Sequence, residues 1–271
     1  MSYYTSLTGL KNAQTDLNVI SHNIANAETT GFKKSDTAFA DIVSSSILTD
    51  PALTTGIGAR VSAIVQQFSL GPIEQTGSAL DVAINGEGFY TVVSPLSGET
   101  QYTRAGSFTV DGGGYIKNAQ GMRLQVFPVD ATGAITSTTT LQDAMIPAQN
   151  AAGEDFAGVT IDSTGQVVAT YADGSNTTLG VLALASFVAP TAMRQEGNAS
   201  WSATGVSGAA KYGQPGSGLF GNLMAGSLER SNVDIAEELV SLITAQRNFQ
   251  ANAKAVDTAT QLSQTIINLR S

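Results

Sequence analysis

Residues able to do acid–base or metal chemistry are few in this sequence, and their spacing brings none of them together. His22 is the single histidine and there is no cysteine. One imidazole without thiols excludes the common zinc sites and every triad built on a histidine base. Disulfides and thiol nucleophiles are excluded as well. Glu237 and Glu238 are adjacent on an expected helix and point apart, while Glu154-Asp155 lies in a weakly patterned stretch. Neither pair resembles two acids fixed across a cleft, as glycoside hydrolysis requires. Gly86-Glu87-Gly88 and Gly216-Ser217-Gly218 lack the lysine and the strand-to-helix setting of a phosphate loop, so they read as turns. His22 reads as a packing or solvent residue on the flank of a helix. The expectation is no enzyme, no catalytic residue, no cofactor and no metal.

The elements around these residues are clearer than any chemistry. From Ser6 to about Ala27, Leu10, Ala13, Leu17, Ile20, Ile24 and Ala27 recur at steps of three and four, a helical stripe. Thr29-Thr30-Gly31 then supplies two β-branched residues and a glycine suited to a left-handed stop. A second, longer helix is expected from about Asn232 to Leu269, capped by Ser231 or Asn232, with Asp234, Glu237 and Glu238 favourable to its dipole. Its stripe runs through Ile235, Leu239, Leu242, Phe249, Ala253 and Val256. Another drifts in at Ala255, Ala259, Leu262, Ile266 and Leu269. About 35 residues without Gly or Pro would rise about 50 Å. Matching spacing at both ends suggests that the termini pair.

Between the helices lie short β-rich runs separated by glycine turns. Asp111-Gly112-Gly113-Gly114 reads as a hairpin loop before Tyr115-Ile116. The pattern returns at Val159-Thr160-Ile161, Asp162 to Gly165, and Gln166 to Tyr171, and a further turn at Ala172 to Ser175 leads into Leu179. These hairpins suggest one meandering β domain, with 130–158 a surface excursion. The expected class is α+β: long paired N- and C-terminal helices with a central all-β domain. The expected division is 1–30 first helix, 31–67 connector, 68–227 β domain and 228–271 last helix.

Composition narrows the partners. Among the 271 residues, 42% are hydrophobic but only 13% are charged, about half the usual share for a soluble domain. The small neutral residues that replace charge suit close packing against copies of the same chain. A net charge of −9 and no basic run argue against nucleic acid. No run of about 18 apolar residues is present, so no membrane span is expected. The start of the chain does not read as a Sec signal. A secreted carbohydrate-binding β protein or a β-rich hydrolase would account for the strands but not for paired terminal helices. Deleting residues 1–30 separates these classes, since only an assembling protein should lose its function.

Three stretches, in order, resemble the flagellar rod and hook protein family. Leu17-Asn18-Val19-Ile20-Ser21-His22-Asn23-Ile24-Ala25-Asn26 running into Thr30-Gly31-Phe32-Lys33 is similar to the family's Asn-Asn-Ile-Ala-Asn helix and Thr-x-Gly-Phe-Lys sequel, with His22 where Asn is common. Asp81-Val82-Ala83-Ile84-Asn85-Gly86-Glu87-Gly88-Phe89, then Tyr102 to Phe108, resembles its β core. Leu228-Glu229-Arg230-Ser231-Asn232-Val233-Asp234 through Gln246-Arg247-Asn248-Phe249 resembles its terminal helix. Within the family, Ser35 to Val43, Gly158 to Trp201 and Asn268-Leu269-Arg270 look more like a hook protein lacking the usual outer domain. The long 44–58 connector looks more like the distal rod, the alternative.

The resemblance implies a helical homopolymer with the terminal helices as an inner layer, ordered only when neighbours cover them. It implies an assembly interface of Leu10, Leu17, Ile20 and Ile24 with Leu239, Leu242, Phe249, Val256, Leu262 and Ile266. The implied partners are copies of the chain itself, other axial proteins (distal rod and hook–filament junction), the hook cap and the flagellar type III export apparatus. The implied location is the flagellum, outside the cell after export.

Overall fold

Both ends of the sequence are helical and the middle is β, as their periodicities require. The computed structural model describes residues 2–44, 55–130, 133–138 and 140–270. The helices are α1 (Ser2–Ala25) and α2 (Ile235–Arg270). The first strands are β1 (Ser35–Ser44), β2 (Thr55–Gln66), β3 (Ile73–Gln75), β4 (Val82–Asn85), β5 (Phe89–Val93) and β6 (Thr100–Thr103). They continue with β7 (Thr109–Val110), β8 (Ile116–Lys117), β9 (Arg123–Phe127), β10 (Gln142–Asp143), β11 (Phe156–Ile161), β12 (Gln166–Tyr171) and β13 (Asn176–Leu182). The last are β14 (Leu184–Ser186), β15 (Arg194–Gly197), β16 (Ser200–Ser202), β17 (Lys211–Gly213), β18 (Asn222–Ala225) and β19 (Ser227–Glu229). The class is α+β. Two compact units result: a terminal unit of Met1–Ala27, Lys34–Gln67 and Val233–Ser271, and a central unit of Glu28–Lys33 and Phe68–Asn232.

In the terminal unit α1 lies along α2 and also meets β1 and β2. Ala13 and Ile20 are buried on α1, and Ala245 on α2. Small residues set this approach: a Cβ on Gly9 would stand 2.5 Å from Oδ1 of Asn252. The start of α2 differs from expectation. Asp234, not Ser231 or Asn232, is the cap: its Oδ1 accepts from the backbone N–H of Ala236 (2.8 Å) and Glu237 (3.2 Å). A cap must stand just before the first turn, and that turn begins at Ile235.

The stretch read as a connector forms an antiparallel ribbon, β1 with β2, in register from Ser35↔Gln66 to Ser44↔Thr55. Register shifts between Ala38 and Phe39 and between Ile42 and Val43 bend it. Phe39, Val43, Ile57 and Ile64 are exposed, so no buried face imprints a clean alternation on the sequence.

In the central unit the principal sheet runs β11-β12-β13-β9-β5-β6-β16-β15, with β14 joining β5 to β17. It departs from a meander, because β18 returns to β4 and β19 to β3. The expected hairpins are present. Asp111 Oδ1 accepts from Gly113 N–H and Tyr115 N–H at the β7–β8 turn, and Ile161 pairs Val167 across the β11–β12 turn. One core gathers Val82, Ile84, Tyr90, Leu124, Val167 and Leu182. A second stacks Phe89, Tyr102, Phe187 and Trp201 edge to face, a geometry that adds to their area burial. Gly31 has φ of 69°, and a Cβ there would lie 2.5 Å from the backbone N of Ala105. Both facts require glycine there, but α1 ends at Ala25, six residues short of the expected stop, and Gly31 instead shapes the turn that brings its N–H to the Glu229 oxygen.

Candidate assembly surface

The terminal unit leaves apolar surface uncovered. Twelve of the nineteen large exposed hydrophobic residues among the described residues belong to it, although it holds little more than a third of the chain. On α2, Ile235, Leu239, Val240 and Ile243 are exposed at helical spacing. Tyr3 and Tyr4 are exposed on α1, and Phe39, Val43, Ile57 and Ile64 on the ribbon. Helix α2 therefore carries one broad apolar stripe that is covered only along one side. Leu242, Ala245, Phe249 and Val256 are at least half-buried, while the Ile235–Leu239–Ile243 face is open. Patches of this kind mark interaction surfaces.

A polar node fixes the start of the α1–α2 seam. Asn23, buried on α1, donates through Nδ2 to the backbone oxygen of Ser35 (2.9 Å) and to Oε2 of Glu238 (3.3 Å), while its Oδ1 accepts from Ser35 N–H (3.0 Å). Glu238 is only 5% exposed. Burial raises its carboxyl above the ordinary range, and the Asn23 hydrogen bond and Lys34 oppose that rise. Glu238 thus takes the seam position for which the stripe offered Leu239.

The central unit contains a buried ionic cluster. Lys33 Nζ lies 2.5 Å from Oε1 of Glu229 and 2.7 Å from the backbone oxygen of Ser69. Arg104 reaches Oε2 of Glu229 at 3.4 Å and lies over the Phe89 ring, 5.2 Å from its centroid. Gly71 N–H donates to Oε1 of Glu229 at 3.0 Å, and Gly31 N–H to the Glu229 backbone oxygen at 2.9 Å. Burial pulls the Lys33 ammonium below its usual range against the opposing pull of Glu229. Glu229 therefore ties four chain segments together. Such a pair is held by geometry, and removing one partner strands a buried charge.

The proposed interface residues fall in three groups. Ile20 is buried, and Leu10, Leu17, Ile24, Leu242, Phe249 and Val256 are half-buried. Leu239 and Leu262 are exposed, away from the seam that packs within one chain. Ile266 lies on α2, but its side chain is outside the described set. His22 is exposed, with Asn26 Nδ2 3.4 Å from its Nδ1. Among the described residues there is no cluster of three His, Asp or Glu able to hold a metal. Among the described residues no helix is long and apolar enough to cross a membrane. Asn23, Lys33, Arg104 and Glu229 had no assigned role from sequence, and Glu238 only a favourable interaction with the helix dipole. Only Asn23 offered a signal, being polar beside Ile24 on the apolar stripe.

Comparison with known proteins gives three family matches in chain order. Residues 4–33 match the family described as flagella basal body rod protein. Residues 83–169 match the flagellar hook protein FlgE/F/G D1 domain, and 224–269 the flagellar basal body rod FlgEFG protein C-terminal family. The chain is 32% identical over 280 residues to the flagellar basal-body rod protein FlgG of Bacillus subtilis, covering 99% of this chain and 98% of that one. It is 32% identical to FlgG of Agrobacterium fabrum, covering 94% of each. With the flagellar hook protein FlgE of Salmonella typhimurium it shares 27% over 411 residues, covering both chains in full.

Proposed function

The chain belongs to the bacterial flagellar rod and hook protein family, and from that premise we propose that it is a subunit of the flagellar hook. The family is structural, not enzymatic. One observation carries the hook reading. Of 411 aligned positions with the Salmonella hook protein, 27% amounts to about 111 identities, whereas 32% of 280 with the Bacillus rod protein amounts to about 90. The lower percentage reflects dilution, because at least 140 of the 411 positions (411 less 271) face no residue of this chain. The distal rod reading rests on the opposite feature, a full-length match to FlgG without a large insertion.

In this account α1 and α2 form an inner coiled-coil layer, and the open face of α2 is covered by neighbouring copies. Contacts that do not close on themselves generate a tube in place of a ring. Sparse charge at the contacts lets subunits slide as the tube bends and transmits torque. Export through the flagellar type III apparatus, the hook cap, and junctions with the distal rod and the hook–filament proteins belong to the same reading. Electron microscopy of basal bodies from a deletion strain tests it. Complete rods without hooks are expected, and truncated rods would assign the chain to the distal rod.

A further inference from the structure

Among the described residues, five turns of the central unit share one hydrogen-bonded frame. Asp111, Asn118, Asp130, Asn150 and Asp162 each stand three residues before a glycine: Gly114, Gly121, Gly133, Gly153 and Gly165. In every one the Asp or Asn backbone N–H donates to the carbonyl four residues on, and the glycine N–H donates to the Asp or Asn carbonyl, at 2.9–3.1 Å. The glycines have φ of 79–85°, the left-handed position that closes a type I turn into a bulged hairpin. The side chain adds a clamp. At Asp111, Asn118, Asn150 and Asp162, Oδ1 accepts from the N–H groups two and four residues on, at 2.9–3.1 Å. At Asp130 it accepts from Ala134 N–H at 3.0 Å.

The clamp is separable from the frame. Tyr171 N–H donates to the Ser175 oxygen (3.0 Å) and Gly174 N–H to the Tyr171 oxygen (2.9 Å), the same two backbone bonds without Asp or Asn at the head. Charge is not its working part, because Asn118 and Asn150 clamp as Asp111 and Asp162 do. The side chain supplies an acceptor oxygen that fixes the turn before any distant strand arrives. Each frame closes within five residues, so its loop-closure cost is small. Other parts of the unit join over long stretches of chain, with Ile73 paired to Glu229 and Asn85 to Asn222. Such contacts form slowly.

We propose that the five clamped turns are the folding nuclei of the central unit, formed before the long-range strand pairs β3–β19 and β4–β18. Local nuclei spread along the chain let folding start from whichever part is free. For a chain delivered unfolded through an export channel, folding then proceeds segment by segment on emergence. That consequence rests on the export reading above; the nucleation itself does not.

Refolding of the full chain after a brief unfolding pulse, too short for proline isomerisation, tests the proposal. Trp201, the single tryptophan, is buried in the central unit and reports by fluorescence. Asp162 is exposed, so Asp162→Ala removes the clamp without opening a cavity. It should slow refolding at least about fivefold and change unfolding less than about twofold, the signature of a contact already made in the transition state. Asp162→Asn keeps the acceptor and should refold within about twofold of wild type. Gly121 and Gly153 face open space at positive φ, so Gly121→Ala and Gly153→Ala strain the frame alone and should also slow refolding. Thr103→Val removes a long-range bond, from Oγ1 to the Ala199 oxygen (2.7 Å), and should speed unfolding while leaving refolding unchanged. An Asp162→Ala variant altered only in unfolding, or in neither rate, would overturn the proposal. So would equal slowing by Thr103→Val, or an Asp162→Asn variant as slow as alanine. A wild-type chain that refolds in this way yet builds no flagellar structure would instead strike the export and assembly reading.

Discussion

The central and terminal units handle burial in opposite ways. The central unit turns its aromatic residues inward, stacks Phe89, Tyr102, Phe187 and Trp201 on one another, and neutralises its deepest charges within the Lys33–Glu229–Arg104 cluster. The terminal unit buries Ala13, Ile20 and Ala245 along one seam but leaves Leu239, Val240, Ile243 and the ribbon's Phe39 and Ile64 exposed. A surface helix of a self-sufficient domain buries its apolar stripe; α2 leaves one side of its stripe open. The contrast teaches that the central unit covers its own apolar residues while the terminal unit leaves part of its apolar surface open, the surface that on the proposed reading a neighbouring copy covers.

Substitutions can break that contrast, beginning with the largest effect on the isolated chain. Glu229→Gln leaves Lys33 and Arg104 without their buried carboxylate. We expect a loss of about 3–5 kcal/mol, read as a fall of roughly 10 °C in thermal melting by near-ultraviolet circular dichroism. Melting within a degree of wild type would show that the cluster is dispensable. Leu242→Asp places a carboxylate in the half-buried α1–α2 seam. It should cost roughly 1–3 kcal/mol, confined to the terminal unit and seen as faster proteolysis of both termini with an unchanged central fragment.

Leu239→Asp, three residues away, sharpens the comparison because Leu239 is on the open face. Its effect on the monomer should stay within about 0.5 kcal/mol, yet tube formation should fail. Assembly at the wild-type concentration would mean that no copy covers this face. The smallest effect concerns pH. Glu238 has a carboxyl raised by burial, so the folded terminal unit binds its proton more tightly than the unfolded chain does. The associated stability is fully present below the unfolded carboxylate range and is lost as pH rises through the raised folded value. Terminal-unit protection should therefore increase modestly from neutral pH toward the carboxylate range, and Glu238→Gln should flatten that dependence. An equal slope in the variant would place the proton elsewhere.

Local chemistry was legible in the sequence and long-range chemistry was not. Leu10, Ala13, Leu17 and Ile20 announce α1 because three–four spacing is a property of one helix face. Asp111 and Asp162 announce hairpins because each bonds backbone N–H groups two and four residues on. Ribbon β1–β2 was missed because its apolar residues face outward as well as inward. The ionic cluster joins residues 196 and 125 positions apart, a separation no local pattern encodes. At Asp234 the capping chemistry was recognised but placed two or three residues early.

Amide hydrogen exchange on monomer and on assembled tubes tests the central claim most directly. In the monomer, β5, β9 and β12 should exchange slowest, and the amides of residues 235–250 on α2 markedly faster. On assembly those α2 amides should gain at least about 100-fold protection, near 2.7 kcal/mol, while the central strands change little. If α2 is already as protected as β9 in the monomer, or gains nothing in the tube, the terminal unit is a finished domain and the account is wrong.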